Sequence, residues 1–230
     1  MASIIRFEAG VSMRYVFIIT YGRSGSTLVQ SILNDIPGWR ISGENYNTLY
    51  YIYKSVRSAN RSHEDYGKQQ TNATNPWYGA EHIDADTFTT DLVESFKRNI
   101  LNPSEDTRVL GFKEIRHFGI DMDDLGGYLN FLRACFAPAK FVFNMREPGA
   151  VAKSGFKAGW WKGQDPAKIE SNIARYNDMM LALAASSDCC LISYDQYTRS
   201  SDALRPLFDF LGEQFEERAV EKALSNRLVH

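Results

Sequence analysis

The stretch YVFIITYGRSGSTLVQSILN, residues 15–34, decides how the rest of the chain is read. Tyr15 to Thr20 is a continuous apolar, β-branched and aromatic run, the pattern of a strand buried on both faces of a parallel sheet. Leu28, Val29, Ile32 and Leu33 then recur at helical spacing. Between them lies Gly22-Arg23-Ser24-Gly25-Ser26-Thr27. A Gly-Ser turn joining a buried strand to a helix gathers backbone N–H groups around one concave space, and the helix dipole adds about half a positive charge there. Three hydroxyls and a permanently charged guanidinium reinforce it. The stretch therefore predicts a strand, a phosphate- or sulfate-binding loop and a helix. It departs from the nucleotide-hydrolysing pattern G-x-x-x-x-G-K-[ST], because no lysine precedes Ser or Thr and an arginine stands earlier instead.

Outward from this unit the same alternation repeats. Trp39 to Ile41 reads as a short second strand, followed by Ser42-Gly43-Glu44. Residues 43–90 read as an irregular, polar and aromatic insertion with a helix at 46–58. Helical spacing returns over 86–101. RVLGFK (108–113) is a strand, and DMDDLGGYLNFLRACF (121–136) is a helix with acids at its N-terminus. KFVFNM (140–145) and CCLISY (189–194) are further strands, with helices from Pro148, over 166–186, over 203–211 and over 215–225. Strands alternating with helices predict an α/β protein with a central, mainly parallel sheet. No repeat or linker interrupts 1–230, so a single domain is expected.

Composition narrows the function classes. At 230 residues, with 44% hydrophobic and 23% charged residues, the chain has the profile of an ordinary globular domain. A net charge of -2 argues against a general nucleic-acid binder. Three cysteines, Cys135, Cys189 and Cys190, read as reduced thiols of a cytoplasmic protein. No apolar run is long enough to span a membrane, and the N-terminal MASIIRFEAGVSMR reads as neither signal nor anchor. The Asn-x-Ser/Thr triplets at Asn60 and Asn72 would matter only in a secreted protein.

The strand KFVFNM runs into Arg146, where a magnesium-dependent kinase would place an acid. An arginine there repels a divalent cation and attracts a second anion, so the site is expected to hold two anionic groups without a metal. With both pieces in view, the chain resembles sulfotransferases that use 3′-phosphoadenosine 5′-phosphosulfate (PAPS). That family carries a GRSGST or PKSGTT loop, a strand ending in Arg and a Ser on the next helix. Here these are Gly22 to Thr27, Arg146 and, eight residues on, Ser154. SYDQYTRSSDALRPLFDFLG (193–212) is similar to the family's Tyr-Glu-Asp-Leu to Phe-Leu-Gly segment, so the likeness spans residues 15–212.

The resemblance implies a P-loop-like fold and transfer of a sulfuryl group to an acceptor hydroxyl. It assigns Gly22, Arg23, Ser24, Gly25, Ser26 and Thr27 to the 5′-phosphosulfate, and Arg146 and Ser154 to the 3′-phosphate. Arg23 and Lys113 are the candidate cations at the leaving oxygen. Glu44 is the first candidate base, its alternative role being to cap the following helix, and Glu114 is the competing base. The small-molecule branch has a histidine where this chain has Ile115, which leaves His117 as an acceptor contact only. Arg116 either meets an acidic acceptor or pairs with Glu114. Trp160 and Trp161 are candidates to stack on adenine or a sugar. Tyr46, Tyr50, Trp77 and Tyr78 mark the acceptor side, for which a glycan or small polar molecule is expected. Arg227 is the candidate for holding the adenine. The competing readings are a metal-dependent P-loop kinase and a nucleotide-binding regulator without activity.

Overall fold

A computed structural model describes residues 13–120 and 122–225. Five strands alternate with helices: β1 (Arg14–Ile19), α1 (Ser26–Asn34), β2 (Trp39–Ser42), α2 (Thr48–Tyr66), α3 (Ala85–Phe96), β3 (Val109–Glu114), α4 (Met122–Cys135) and β4 (Ala139–Met145). After them come α5 (Pro148–Lys157), α6 (Pro166–Leu183), β5 (Cys189–Ser193), the single turn α7 (Tyr194–Tyr197), α8 (Arg205–Leu211) and α9 (Glu217–Ser225). The strands form one sheet in the order β2-β3-β1-β4-β5, and every neighbouring pair is parallel. All five strands consequently deliver their following loops to the same edge of the sheet.

Strand alternation divides the core into two layers. Phe17 and Ile19 of β1 face one side, where they meet apolar residues of α2, α3, α4, α5 and α6. Val16 and Ile18 face the other, against α1, α8 and α9. The result is a helix–sheet–helix sandwich, the architecture expected from the alternating pattern. β1 and β3 approach closely: Val16 is in register with Gly111, and a Cβ on Gly111 would fall 1.7 Å from the Val16 carbonyl oxygen. A glycine is required there.

Helix boundaries follow local chemistry. Glu147 caps α5 by accepting from Gly149 N at 2.7 Å, and Asp165 caps α6 by accepting from Ala167 N at 3.0 Å. Both helices have proline in their first turn, where its missing N–H costs nothing.

The insertion differs from its sequence reading. Instead of a helix ending near residue 58, α2 continues for 19 residues to Tyr66. Leu49, Tyr53 and Val56 form its buried stripe, and the polar residues beyond them continue its solvent face. The helix expected over 86–101 is α3 followed by a π-helical turn, Lys97–Leu101. Among the described residues no helix is long and apolar enough to cross a membrane. The N-terminal stretch read as neither signal nor anchor lies mostly, and Arg227 wholly, outside the described residues.

Candidate active site

The loop between β1 and α1 is shaped by two left-handed residues, Arg23 at φ 65° and Gly25 at φ 82°. No side chain caps α1, which leaves its first N–H groups pointing into the loop's concavity. A non-glycine residue at positive φ is strained, and here the strain accompanies a guanidinium held at the loop's rim. Arg23 Nε donates to Ser154 Oγ at 3.1 Å, joining the loop to α5 across 131 residues of sequence.

Ser24 does not present its hydroxyl to this concavity. The side chain is fully buried, and Thr20 Oγ1 lies 2.7 Å from both Ser24 Oγ and the carbonyl of Asn144. Asn144 Nδ2 in turn donates to the Ser24 carbonyl at 2.9 Å. This buried network binds the loop to β4, leaving Ser24 only its backbone N–H to offer an anion.

Arg146, at the end of β4, closes the other side. Its Nη1 donates to the Arg23 carbonyl at 2.9 Å, and its guanidinium lies 4.2 Å above the Tyr194 ring. Arg146 Nε is buried with no hydrogen-bond partner among the described residues. Unpaired buried donors are costly, so this atom fits an anion that would satisfy it. Tyr194 also packs on the loop, since a Cβ on Gly25 would fall 2.1 Å from its ring. Tyr197 Oη lies 3.2 Å from Asn144 Oδ1, so the 193–197 segment buttresses the loop from behind. Tyr21 Oη accepts from Arg146 N at 2.9 Å and donates to Asn177 Oδ1 at 2.7 Å. Burial pushes its phenol up to about 12, so it stays neutral.

The side facing the loop is built from β2 and β3. Glu44 Oε1 accepts from Lys113 Nζ at 2.8 Å and Oε2 from Arg116 Nη1 at 2.6 Å. Lys113 is 5% exposed and Glu44 31%. Asn47, rather than Glu44, occupies the N-cap of α2. Arg116 also lies 3.9 Å from the Tyr46 ring and 3.5 Å from Glu114.

Glu114 has a different environment. It is fully buried, and its oxygens accept from the backbone N–H groups of Asn45, Asn47, Ile115 and Arg116 at 2.9 to 3.0 Å. Burial alone would raise its pKa, but these N–H groups outweigh it and hold the carboxyl below the usual range. Its geometry is that of a loop anchor. His117 is also fully buried, and burial lowers its pKa to about 4 against the opposing pull of Glu114. The expectation that His117 contacts an acceptor is corrected: its ring lies inside the core beside Phe112 and Tyr128.

A cavity of about 460 Å³ lies between the two halves. Gly22 reaches it from the β1–α1 loop, while Glu44 and Arg116 reach it from the ends of β2 and β3. Its walls include Ile115, Val151, Ile173 and the two indoles Trp160 and Trp161. The Trp160 ring rests on the loop: a Cβ on Gly22 would fall 2.1 Å from its Cζ3, and the Arg23 guanidinium is 5.7 Å from its centroid. Trp77 stacks on Tyr66 at 3.8 Å, and Tyr50 hydrogen-bonds Asp124 at 2.9 Å.

Residues 15–217 match the model of the sulfotransferase family. The chain belongs to that family. The fold of this sulfotransferase is similar to that of the sulfotransferase domain from the Synechococcus PCC 7002 olefin synthase, with 19% identity and a TM-score of 0.58 over 96% of this chain and 81% of that one. It is also similar to the sulfotransferase domain from the curacin biosynthetic pathway, with 14% identity and a TM-score of 0.53 over 95% and 80% of the two chains. A search of curated proteins returned no match.

The geometry thus joins Arg23, Arg146 and Ser154 at the β1–α1 loop of this sulfotransferase, and Glu44, Lys113 and Arg116 across the cavity. Tyr21, Asn144, Tyr194 and Tyr197, which hold the donor loop in place, were not singled out from sequence. The apolar-to-polar change at Asn144 inside a buried strand is the signal that marks one of them.

Proposed function

We propose that this sulfotransferase takes its sulfuryl group from PAPS and delivers it to an acceptor hydroxyl, with Glu44 as general base. The observation that carries the reading is the pair of guanidinium groups at the uncapped start of α1, one of them with a buried donor, Arg146 Nε, awaiting a partner. Gly22, Arg23, Gly25, Ser26, Thr27 and the Ser24 backbone N–H would hold the 5′-phosphosulfate. Arg146 and Ser154 would hold the 3′-phosphate. When bound, the nucleotide supplies an activated sulfuryl group on a phosphate leaving group.

The residues divide the remaining work. Arg23 and Lys113 place positive charge at the leaving oxygen, where negative charge grows. Glu44 receives the acceptor's proton, and its place on the cavity wall brings it within reach of an entering hydroxyl. Both Glu44 oxygens are paired with cations. Drawing Lys113 toward the donor releases Oε1 for the acceptor proton, so donor binding prepares the base. Glu114, its carboxylate filled by backbone N–H groups, serves the loop instead. The chemistry needs no metal under this reading. A cytoplasmic location is part of the same proposal, supported by the free thiols of Cys135, Cys189 and Cys190.

Calorimetric titration with 3′,5′-adenosine bisphosphate in EDTA tests the donor assignment. Wild type is expected to bind, and Arg146→Ala to bind roughly 10- to 100-fold more weakly through loss of a charge-assisted contact. No binding by wild type, or binding that requires Mg²⁺, would overturn it.

A further inference from the structure

We propose that the acceptor is an uncharged, flat and apolar alcohol, of the phenol or arylmethanol class, rather than a sugar. This rests on the donor and base assignments above and names the substrate class of the same site. A glycan presents a hydroxyl on nearly every carbon, and enclosing it requires side chains that answer those groups. The side chains here do not. Of the polar groups reaching the cavity, Tyr21 Oη is engaged with Arg146 and Asn177, and Arg116 with Glu44 and the Tyr46 ring. Glu44 is itself paired with Lys113 and Arg116, so these polar side chains are occupied with partners, and they face walls made of Ile115, Val151, Ile173 and two indoles.

That arrangement suits a molecule with one hydroxyl and an otherwise apolar body. A volume of about 460 Å³ lies within the range of small-molecule pockets and accommodates one or two rings. The Trp160 indole is the structural link, because it packs on Gly22 of the donor loop and forms the acceptor wall at once. An aromatic body lying against it is held beside the loop with its hydroxyl free to face Glu44. Left-handed glycines at 159 (φ 79°) and 163 (φ 77°) bracket the turn that carries both tryptophans. In the transfer the acceptor oxygen gives its proton to Glu44 and gains the bond to sulfur. The bond between sulfur and the 5′-phosphate oxygen breaks, leaving 3′,5′-adenosine bisphosphate, with no change of oxidation state.

The test supplies PAPS with 2-naphthol, 2-naphthalenemethanol, methyl glucoside or N-acetylglucosamine, and follows sulfated product by mass spectrometry. Calorimetry measures binding of the same alcohols to the enzyme loaded with 3′,5′-adenosine bisphosphate. The aryl alcohols are expected to exceed the sugars at least 100-fold in kcat/KM. Trp160→Ala and Ile115→Ser should each raise the aryl-alcohol KM about tenfold, while Ile115→Ser leaves bisphosphate affinity within threefold of wild type. Sugars turned over as well as the aryl alcohols, or aryl alcohols that neither bind nor react while the bisphosphate binds normally, would overturn the acceptor class and leave the donor assignment standing. Failure of the bisphosphate itself to bind would overturn the donor assignment.

Discussion

Glu213 and Glu44 each sit between two cations, at opposite ends of the same sheet. Near the N-terminal ends of the strands, Glu213 pairs with Arg14 at 2.6 Å and with both terminal nitrogens of Arg108 at 2.7 Å. Near the C-terminal ends, Glu44 pairs with Lys113 and Arg116. A cavity opens beside each, about 340 Å³ next to Glu213 and about 460 Å³ next to Glu44, so a neighbouring cavity does not distinguish them. The partners do. Arg14 also donates to the Leu211 carbonyl at 3.0 Å, and Arg108 to the Pro37 carbonyl at 2.8 Å, so main chain fixes both cations. The hydrogen bond that Lys113 makes, among the described residues, goes to Glu44 alone. One cluster is a staple whose members cannot leave. In the other, the lysine has no main-chain bond to hold it among the described residues.

The strongest way to break this comparison is Glu44→Gln. Turnover of an accepted alcohol should fall roughly 10²- to 10⁴-fold, as expected for loss of a general base, while bisphosphate affinity stays close to wild type. Turnover near wild type would remove the base role. Lys113→Met should follow, with a decrease of about 10²- to 10³-fold in kcat for loss of charge at the leaving oxygen. If KM for the donor alone changed, Lys113 would be a binding residue instead.

Glu213→Gln inverts the pattern. It leaves two partly exposed arginines without their carboxylate and should destabilise the fold by about 2 kcal/mol, discounted for the solvent that reaches them. Thermal unfolding should shift down by roughly 4 to 8 °C, with kcat little changed. The smallest effect is on pH dependence. Burial alone would raise the Glu213 pKa, but Arg108 and Arg14 outweigh it and bring it from 4.5 down to about 2. Its stabilising contribution is therefore complete above pH 4.5 and is lost as pH falls toward 2. Urea midpoints at pH 6 and pH 3 should show the gap between wild type and Glu213→Gln narrowing by roughly half. A constant gap would mean the pairing contributes nothing through ionisation.

How much of this was legible in sequence follows from the range of each interaction. The five strands and the donor loop were, because apolar runs and a Gly-Ser turn are local signals. α2 was legible only in its first half, since its stripe of Leu49, Tyr53 and Val56 ends well before Tyr66. The Ser24 carbonyl is held by Asn144, 120 residues away, and the pairing of Glu44 with Lys113 spans 69 residues. Strand parity says that Lys113 and Glu114 leave β3 on opposite faces. It does not say which face meets Glu44 and which is filled by the backbone of residues 45–47. Packing makes that distinction, and with it the different environments of the two glutamates.

The bare α-carbon of Gly111 has a consequence for how such a chain can diverge. Pressed against the Val16 carbonyl, it locks β3 to β1 two residues before Lys113, so the distance from that lysine to the donor loop is inherited with the sheet. A methyl group there would wedge the strands apart and displace Lys113. Ile115, Val151 and Ile173 carry no such constraint toward the donor loop. The cavity wall can thus change without disturbing the contact between β1 and β3, while position 111 stays closed to substitution.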